Sequence, residues 1–472
     1  MSNFSALQTA LSGLIAHQRA LQTAGHNASN AATKGYSRQR VDLVSAGAGV
    51  VPAVWSKTDG IGNGVRAAGV VRIRDEFLEA RALREAGSLS LLRTQATSLG
   101  RVEMIFPEPS DVGLAHQLSE LWGAFDDLAN QPGASAPRVA LLERARTVAD
   151  ELNRGAAELT NLHRSALEQA EALTSEVNAT AARVAELNGA VRNATAAGLD
   201  AHDLADQRDL LIERLGELVG VTTRQGELGT TDVFLGGSSL VRGDRYEQLQ
   251  VVETTDPTAH PDFTEVEVQW AKDGYRANVA DGEVGGLLDT TNRMIPHYLS
   301  ELDAVAATLA STVNAVHEGG FDLDGAAGLA FFTGTTASDL AVNAVVAADP
   351  RRVAAAGSDG GAPPASAGPL DAGNATLLAR LGEGQNSADA VYKRMIGGLG
   401  VETQATNRRE QIQTEVVVQV DAARDSVKGV NLDEEMTSLV QSQHAYAASA
   451  RLMTAVDEML DTLISRTGLV GR

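Results

Sequence analysis

Two stretches at opposite ends of the chain decide its fold. Residues 3–21 read NFSALQTALSGLIAHQRAL, and residues 432–463 read LDEEMTSLVQSQHAYAASARLMTAVDEMLDTL. In both, apolar residues recur at alternating steps of three and four, which places them on one narrow stripe of a helix, as in a coiled coil. We call these stripes the terminal seams. Their positions are Phe4, Leu7, Leu11, Leu14, Gln18 and Leu21 at the start, and Leu432, Met436, Leu439, Gln443, Tyr446, Ala450, Met453, Val456, Leu460 and Leu463 at the end.

A narrow apolar seam cannot be buried by its own helix, so each seam needs a partner. The sequence predicts that the first helix packs against the last one, with further copies of the chain behind them. We expect the seams to become ordered only when neighbours cover them; the alternative is a stable two-helix pair within one chain. The predicted assembly interface consists of Phe4, Leu7, Leu11, Leu14, Leu21, Leu432, Met436, Leu439, Tyr446, Met453 and Leu460.

Length and charge limit the possible functions. A protein of 472 residues is too long for one ordinary core, which indicates two to four domains. With 39 basic and 61 acidic residues the net charge is −22, which argues against nucleic acid or an anionic membrane as a partner. The absence of cysteine fits either a reducing compartment or passage in the unfolded state through a narrow export channel.

Targeting signals are not evident in the sequence. The first residues lack a basic segment followed by an apolar run, so no cleaved secretory signal is expected. No apolar run approaches the length of a membrane span, so no membrane insertion is expected.

Between the termini, the pattern alternates between long helical stretches and short strand-like runs. It predicts helices over about 3–30, 75–104, 112–128, from Pro137 into the 190s, 203–219, 283–318, 387–428 and beyond 431, with strands and turns over 35–71 and 225–282. The Gly-, Ala- and Pro-rich segment 319–373 is expected to be a mobile surface excursion.

The predicted fold class is mainly α with a smaller β part: a long helical bundle or coiled-coil frame formed by both termini, with an inserted small β domain. The predicted domains are 1–34 with 429–472 as the inner coiled coil for assembly, 35–224 with 283–428 as a helical rod carrying a small β segment near 35–72, and 225–282 as an outer β domain that folds independently.

Candidate catalytic groups are few. Asp203, Asp206 and Asp209 recur every three residues beside Arg208, a spacing that could form an acid–base pair. No nucleophile accompanies them, and acids at a helix start commonly offset the helix dipole. Asp322 opens a calcium-loop-like sequence, but Thr333 stands where the loop needs glutamate, which favours a turn. We therefore predict no catalytic, cofactor or metal site, and no enzyme.

Both ends of the chain resemble a known family. Residues 26–40, HNASNAATKGYSRQR, resemble the N-terminal signature of bacterial flagellar rod, hook and hook-associated proteins, in which this segment follows the first helix. Residues 430–436, VNLDEEM, and the helix after them are similar to the matching C-terminal signature. The N-terminal motif residues are Asn27, Asn30, Gly35 and Tyr36.

Motifs in the middle of the sequence resemble one particular family among these flagellar proteins. Residues 203–211, DLADQRDLL, are similar to a motif of the hook-associated protein 1 family, and the residues that carry it include Asp206, Arg208 and Asp209. Residues 234–237, 314–325 and 331–332 continue the similarity in sequence order. Larger family members carry a second outer β domain after the segment that matches Phe331 and Phe332, and this protein passes quickly over that point.

The resemblance implies a structural role outside the cell. Members of this family form a ring of subunits that joins the hook to the filament, between the hook protein and the second junction protein. They are exported unfolded by the flagellar type III apparatus without a cleaved signal, and an export chaperone holds the C-terminal helix. The alternatives are another axial protein of hook or rod type and, from a different class, an extracellular hydrolase.

Overall fold

The computed structural model describes residues 3–47 and 63–466, with side chains from Ala6 to Gly47 and from Asn63 to Ser465. The side chain of Phe4 therefore lies outside the described part, as does the stretch 48–62 of the predicted β segment.

Long helices dominate the described residues, as the sequence predicts. The longest has 62 residues, which corresponds to roughly 90 Å at 1.5 Å per residue. A π-helical turn, Thr290–Met294, joins α6 to α7. The helices are α1 Asn3–Ser29, α2 Glu76–Ile105, α3 Leu114–Asn130, α4 Ser135–Ala196, α5 His202–Val219, α6 Gly282–Asp289, α7 Ile295–Glu318, α8 Ala344–Ala348, α9 Gly373–Ala379, α10 Ala388–Lys428 and α11 Leu432–Arg466.

Small antiparallel sheets account for the β part. One hairpin, β1–β2, follows α1, and its register shifts at a bulge between Asp42 and Leu43. A four-stranded sheet has the order β3-β4-β5-β6, and β7 pairs with β8. The strands are β1 Gln39–Ser45, β2 Val65–Arg72, β3 Thr222–Gln225, β4 Thr231–Leu235, β5 Ser238–Arg242, β6 Arg245–Tyr246, β7 Leu249–Pro257, β8 Thr264–Trp270, β9 Phe332–Thr333 and β10 Ala341–Val342. The predicted fold class is thus confirmed.

The larger apolar core lies among α3, α7, the first half of α4 and the ends of α2 and α10 that meet them. It also includes the segment 319–373, where Phe331, Phe332 and Val353 are buried. Arg138 of α4 is 1% exposed and donates to the carbonyl oxygens of Val353 at 2.5 Å and Pro132 at 2.7 Å. The prediction of a mobile surface excursion was therefore wrong, because buried aromatic residues and hydrogen bonds hold this segment on the rod.

A second apolar core joins helices to strands. Val184 of α4 and Leu215 of α5 share it with Leu235, Val241 and Trp270 of the strands. The strands predicted over 225–282 are present, and the core that they share with α4 and α5 argues against independent folding. The predicted domain boundaries stay a prediction.

The termini meet, as the sequence predicts, but through small residues. α1 and α11 run antiparallel: Gly13 of α1 packs on Ser449, and Asn27 near the end of α1 contacts Glu435 in the first turn of α11. The buried residues of α1 include Ala10, Ala16 and Ala24 rather than the leucines of the seam.

The predicted interface residues whose side chains are described therefore divide into two groups. Leu7, Leu14, Leu21, Leu439, Met453 and Leu460 are half-buried. Leu11, Leu432, Met436 and Tyr446 are exposed, with 46% exposure for Leu11 and 55% for Met436. The contact within one protomer thus leaves part of both seams uncovered.

Candidate assembly site

The side-chain amide of Asn27 connects four groups where α1, β1 and α11 meet. Its oxygen accepts the backbone N–H of Gln39 at 2.9 Å and the hydroxyl of Tyr36 at 2.7 Å. Its nitrogen donates to the carbonyl oxygen of Gln39 at 2.8 Å and to Glu435 at 3.0 Å. Asn27 is 1% exposed, so each of these bonds satisfies a group that would otherwise lose its hydration.

Glu435 anchors the start of α11 to the segment that follows α1. Its buried carboxylate receives Nε of Arg38 at 2.6 Å in addition to the Asn27 amide. Nη1 of Arg38 reaches Glu434 at 2.8 Å, and the backbone N–H of Arg38 donates to the carbonyl of Lys428 at 3.0 Å. A buried carboxylate with a charge-assisted partner is strongly oriented, since removing either partner leaves the other charge uncompensated.

Tyr36 closes the contact on the side of α1. Burial raises the pKa of its hydroxyl, and the neighbouring carboxylates of Asp203, Asp206 and Glu435 raise it further. The hydroxyl therefore keeps its proton and donates it to Asn27. Nδ1 of His26 lies 3.0 Å from the same hydroxyl oxygen, and because that oxygen's proton is already used, Nδ1 is the donor.

A tight turn before Tyr36 explains two further motif residues. The side chain of Asn30 donates to the carbonyl of His26 at 3.0 Å and accepts the hydroxyl of Thr33 at 3.1 Å. These bonds satisfy hydrogen-bonding groups at the end of α1. Gly35 has φ +80°, and a Cβ there would lie 2.4 Å from Cγ of Leu210 on α5. Only glycine meets both the backbone conformation and the close approach.

Asp206 and Asp209 of α5 extend the polar contacts into the rod. Asp206 accepts the backbone N–H of Ser37 at 3.1 Å and Nη1 of Arg72 at 2.8 Å. Asp209 receives the same Arg72 nitrogen at 2.8 Å, together with Arg74 and Arg208. Burial alone would raise the pKa of Asp209, but the nearby arginines outweigh it and hold that pKa below its usual value.

The same arginines connect α2 and α10. Glu79 of α2 pairs with Nη2 of Arg74 at 2.8 Å and with Nη2 of Arg424 at 2.7 Å, and Arg424 also pairs with Glu213 of α5. Although burial opposes ionisation, these partners keep the pKa of Glu79 below its usual value. We call the whole set the polar junction; it comprises Asn27, Tyr36, Arg38, Arg72, Arg74, Glu79, Asp206, Arg208, Asp209, Arg424 and Glu435.

The polar junction corrects one interpretation of the sequence. Asp203 does lie in the first turn of α5, but Asp206, which is buried, and Asp209, which is partly buried, are partners of arginines rather than acids that offset the helix dipole. Arg208 is also buried, and it donates to the carbonyl of Gly229 at 2.7 Å and to Asn188 at 3.3 Å. The motif of residues 203–211 thus joins α5 to β2 through Arg72, to the segment just before α2 through Arg74, and to α4 through Asn188.

Sequence reasoning missed the partners of these motif residues. Arg38 and Glu435 lay within the two quoted signatures, yet they are 397 positions apart, and nothing in the local pattern indicates that they pair. The local sequence did not indicate the partners of four further charged residues: Arg72, Arg74, Glu79 and Arg424.

The polar junction holds helices together. Its carboxylates are already paired with arginine or amide groups. Within residues 3–47 and 63–466, no group of three or more His, Cys, Asp or Glu side chains could hold a metal ion. Across the same residues, no helix is both long enough and apolar enough to span a bilayer.

Beyond the polar junction, the paired terminal helices carry exposed large apolar residues. The exposed large residues of α1 and α11 include nine that we call the outer seam: Leu11, Ile15, Leu432, Met436, Val440, Tyr446, Leu452, Met459 and Ile464. Repeated exposure of such residues along one helix pair is typical of a surface that a partner covers. Of the predicted interface residues, Leu11, Leu432, Met436 and Tyr446 belong to the outer seam, and the others that are described are half-buried.

Comparisons with known proteins show which family the chain resembles. The family model described as "Flagellar hook-associated protein FlgK helical domain" matches residues 99–332, and "Flagellar basal body rod FlgEFG protein C-terminal" matches residues 426–466. Flagellar hook-associated protein 1 of Bacillus subtilis (strain 168) is 30% identical over 516 positions and covers 100% of both chains. The protein of that name from Escherichia coli (strain K12) is 25% identical over 561 positions, which cover 98% of this chain and 99% of the relative.

A solved structure supports the fold. The flagellar hook junction protein FlgK from Burkholderia pseudomallei aligns with a TM-score of 0.63 at 16% identity, over 75% of this chain and 100% of that chain. With the identity and coverage of the Bacillus subtilis relative, these matches establish that the chain belongs to the flagellar hook-associated protein 1 family.

Proposed function

We propose that the protein is a structural subunit of the bacterial flagellum that joins the hook to the filament and polymerises through its N- and C-terminal helices. The observation that carries this proposal is the terminal pair itself. The polar junction fixes the start of α11 and the end of α1 on the rod, while the outer seam along the same two helices stays uncovered within one protomer.

The physical logic is a division of labour between the two surfaces. Ion pairs and hydrogen bonds at the polar junction set where the helix pair leaves the rod. Apolar contact along the outer seam then supplies the free energy of association at roughly 25 cal/mol per Å² buried. The net charge of −22 opposes approach at long range, but screening within about 8 Å at physiological salt lets the short-range apolar contact win.

The partners follow from this role. The outer seam is covered by further copies of the protein in a ring, and the hook protein and the second junction protein lie on either side. Before assembly, an export chaperone holds the C-terminal helix, and the unfolded polypeptide passes through the flagellar type III apparatus. The protein works outside the cell, does not bind nucleic acid, does not insert into a membrane and is not an enzyme.

Immunogold labelling of isolated flagella tests the proposal directly. Antibodies against the helical rod part of this protein should label a narrow band at the boundary between hook and filament in the source bacterium. Labelling along the whole hook would indicate a hook-type protein instead, and labelling of the cell wall away from flagella would overturn the proposal.

A further inference from the structure

Two Asn-Gly pairs occur in the sequence, Asn63–Gly64 and Asn188–Gly189. Asparagine followed by glycine is chemically vulnerable, because glycine has no side chain to keep its backbone nitrogen away from the amide carbonyl of the asparagine. Whether that vulnerability is expressed depends on the hydrogen bonds and mobility of each pair, and the structure places the two pairs in opposite environments.

Asn63 and Gly64 lie just before β2, with the groups that would react left open. The Asn63 side chain is exposed, and among the described residues neither its amide nor the N–H of Gly64 has a hydrogen-bond partner. Gly64 adopts φ +100°, a conformation that L side chains rarely adopt. Hydrogen bonds hold the backbone on either side of the reacting groups, where the N–H of Asn63 donates to the carbonyl of Gly47 at 3.2 Å and the carbonyl of Gly64 accepts the N–H of Ala46 at 2.9 Å.

Asn188 offers the contrasting case within the same molecule. It is fully buried in the interior of α4. Its nitrogen donates to the carbonyls of Thr231 at 2.8 Å and Gly243 at 2.9 Å, and its oxygen accepts the N–H of Thr231 at 2.9 Å. Attack by Gly189 would require the helix to open together with these three bonds and with the bond that Arg208 donates to the Asn188 oxygen.

We propose that Asn63 is a site of spontaneous deamidation and isoaspartate formation in the native protein. The Gly64 nitrogen attacks Cγ of Asn63, a new C–N bond forms, the bond between Cγ and Nδ2 breaks, and ammonia leaves with the proton of the attacking amide. Water then opens the cyclic imide at one of its two carbonyls, which yields aspartate or isoaspartate. The reaction consumes only water and involves no oxidation or reduction.

The position of Gly64 gives the modification a structural consequence. A Cβ at this residue would lie 2.2 Å from Oγ of Ser12 and 3.3 Å from Cα of Thr9, so the hairpin packs directly on α1 here. Isoaspartate adds one methylene to the backbone at this contact and one negative charge beside it. The β1–β2 hairpin then cannot keep its contact with α1. Because α1 carries part of the outer seam, the effect of this loss on assembly rests on the proposed function. The deamidation reaction itself does not depend on the proposed function.

The reaction is tested on the purified full-length protein, incubated in mildly alkaline buffer and digested for peptide mass spectrometry. The deamidated and isoaspartyl peptides of Asn63 should accumulate at least about tenfold faster than those of Asn188, because opening of α4 costs free energy that Asn63 does not need. In denaturant the two pairs should react at similar rates, and Asn63→Gln should abolish modification at the first pair only. Equal rates at Asn63 and Asn188 in the native protein would overturn the proposal. So would an Asn63 that stays unmodified in the native protein over a time in which it reacts in the denatured protein.

Hydrogen exchange tests the structural consequence. In the modified fraction, amides of β1 and β2 should exchange at least about threefold faster than in the Asn63→Gln variant incubated alongside. Unchanged exchange would show that the hairpin tolerates isoaspartate, which overturns the proposed loss of contact with α1. Failure of the proposed flagellar location would leave both chemical results as they are.

Discussion

At the scale of single residues, Asn27 binds together parts of the protein that are distant in sequence. One amide satisfies both backbone groups of Gln39, the hydroxyl of Tyr36 and the carboxylate of Glu435. No smaller or apolar side chain offers two acceptor and two donor positions in this plane.

Asn27→Ala should therefore destabilise the protein by roughly 2–4 kcal/mol, because it leaves several buried polar groups without partners. Thermal unfolding followed by circular dichroism measures the change. Asn407→Ala, at an exposed position of α10, is the matched control and should unfold like the parent protein. Equal stability of the two variants would mean that water replaces the Asn27 bonds without cost.

His317, at the end of α7, makes stability depend on pH. It is buried, with Nδ1 2.5 Å from the carbonyl of Leu329 and Nε2 accepting the N–H of Ala354 at 2.9 Å. Burial lowers the pKa of His317 to about 4, and burial lowers the pKa of His163 as well. The neutral ring is therefore favoured in the folded state, so the contribution is complete above the unfolded pKa near 6.5 and is lost as pH falls towards 4.

Chemical denaturation should show a stability loss of roughly 2 kcal/mol from His317 between pH 7 and pH 5. Asp209 and Glu79, whose pKa values are lowered, lose their contribution only at more acidic pH. The His317→Gln variant should be less stable at pH 7 but should show a flatter pH dependence over the same interval. An unchanged slope would assign the dependence to other groups.

The sequence predicted some of these residues and could not predict others. Gly35 and Asn27 belong to a local motif, so their importance was readable without the fold. The pairing of Arg38 with Glu435, or of Arg424 with Glu79, depends on how distant helices cross, and a single charged residue carries no record of its partner.

At the scale of elements, periodicity predicted the long helices well because each repeats its apolar face over many turns. The segment 319–373 has no such repeat, and its Gly and Pro content indicated only a loop. Its order comes from a few buried residues, such as Phe331 and Val353, and from the hydrogen bonds of Arg138. Isolated contacts of this kind leave no periodic signal.

The contact between α1 and α11 is the element whose packing differs most from the expectation. A coiled-coil pattern predicts leucines in the contact, yet Gly13 approaches so closely that a Cβ there lies 3.5 Å from Cβ of Ser449. Small residues bring the helices together and leave larger ones on the outer seam.

A disulfide tests this register, because the protein has no cysteine of its own. The separation at Gly13 and Ser449 falls at the short end of the range of disulfide Cβ distances, about 3.5–4.5 Å. Gly13→Cys with Ser449→Cys should oxidise readily within one protomer. Gly13→Cys with Ser438→Cys, roughly 16 Å further along α11, should not. Equal oxidation of both pairs would mean that the helices do not hold this register.

The sheet and the helices around α4 should unfold together, since Leu235 is buried in the core that they share. Leu235→Ala should cost about 2–5 kcal/mol and should lower the melting temperature of the helical circular dichroism signal. Leu377→Ala, at an exposed position of α9, is the control and should leave melting unchanged. A helical transition that ignores Leu235→Ala would restore the independent β domain predicted from the sequence.

At the scale of the whole molecule, α1 and α11 form one helix pair. The polar junction attaches this pair to the rod at one end, and the outer seam along the pair stays exposed. The polar junction gives the helix pair a fixed origin on the rod, through α2, α5 and α10. On the proposed function, the outer seam is the surface that neighbouring subunits cover. We therefore expect assembly to depend on the exposed apolar residues even where folding does not.

The most direct test replaces Leu11 and Met436 of the outer seam by alanine together in a strain that lacks its own copy of the gene. Both side chains are about half exposed, so the purified variant should fold and melt like the parent protein. In cells, it should be exported but lost to the medium instead of retained at the hook tip, as measured by immunogold electron microscopy and immunoblotting. Ile412→Ala with Val418→Ala, two similarly exposed residues of α10, should be retained with normal motility. Retention and full motility of the Leu11 and Met436 variant would contradict assembly through the outer seam.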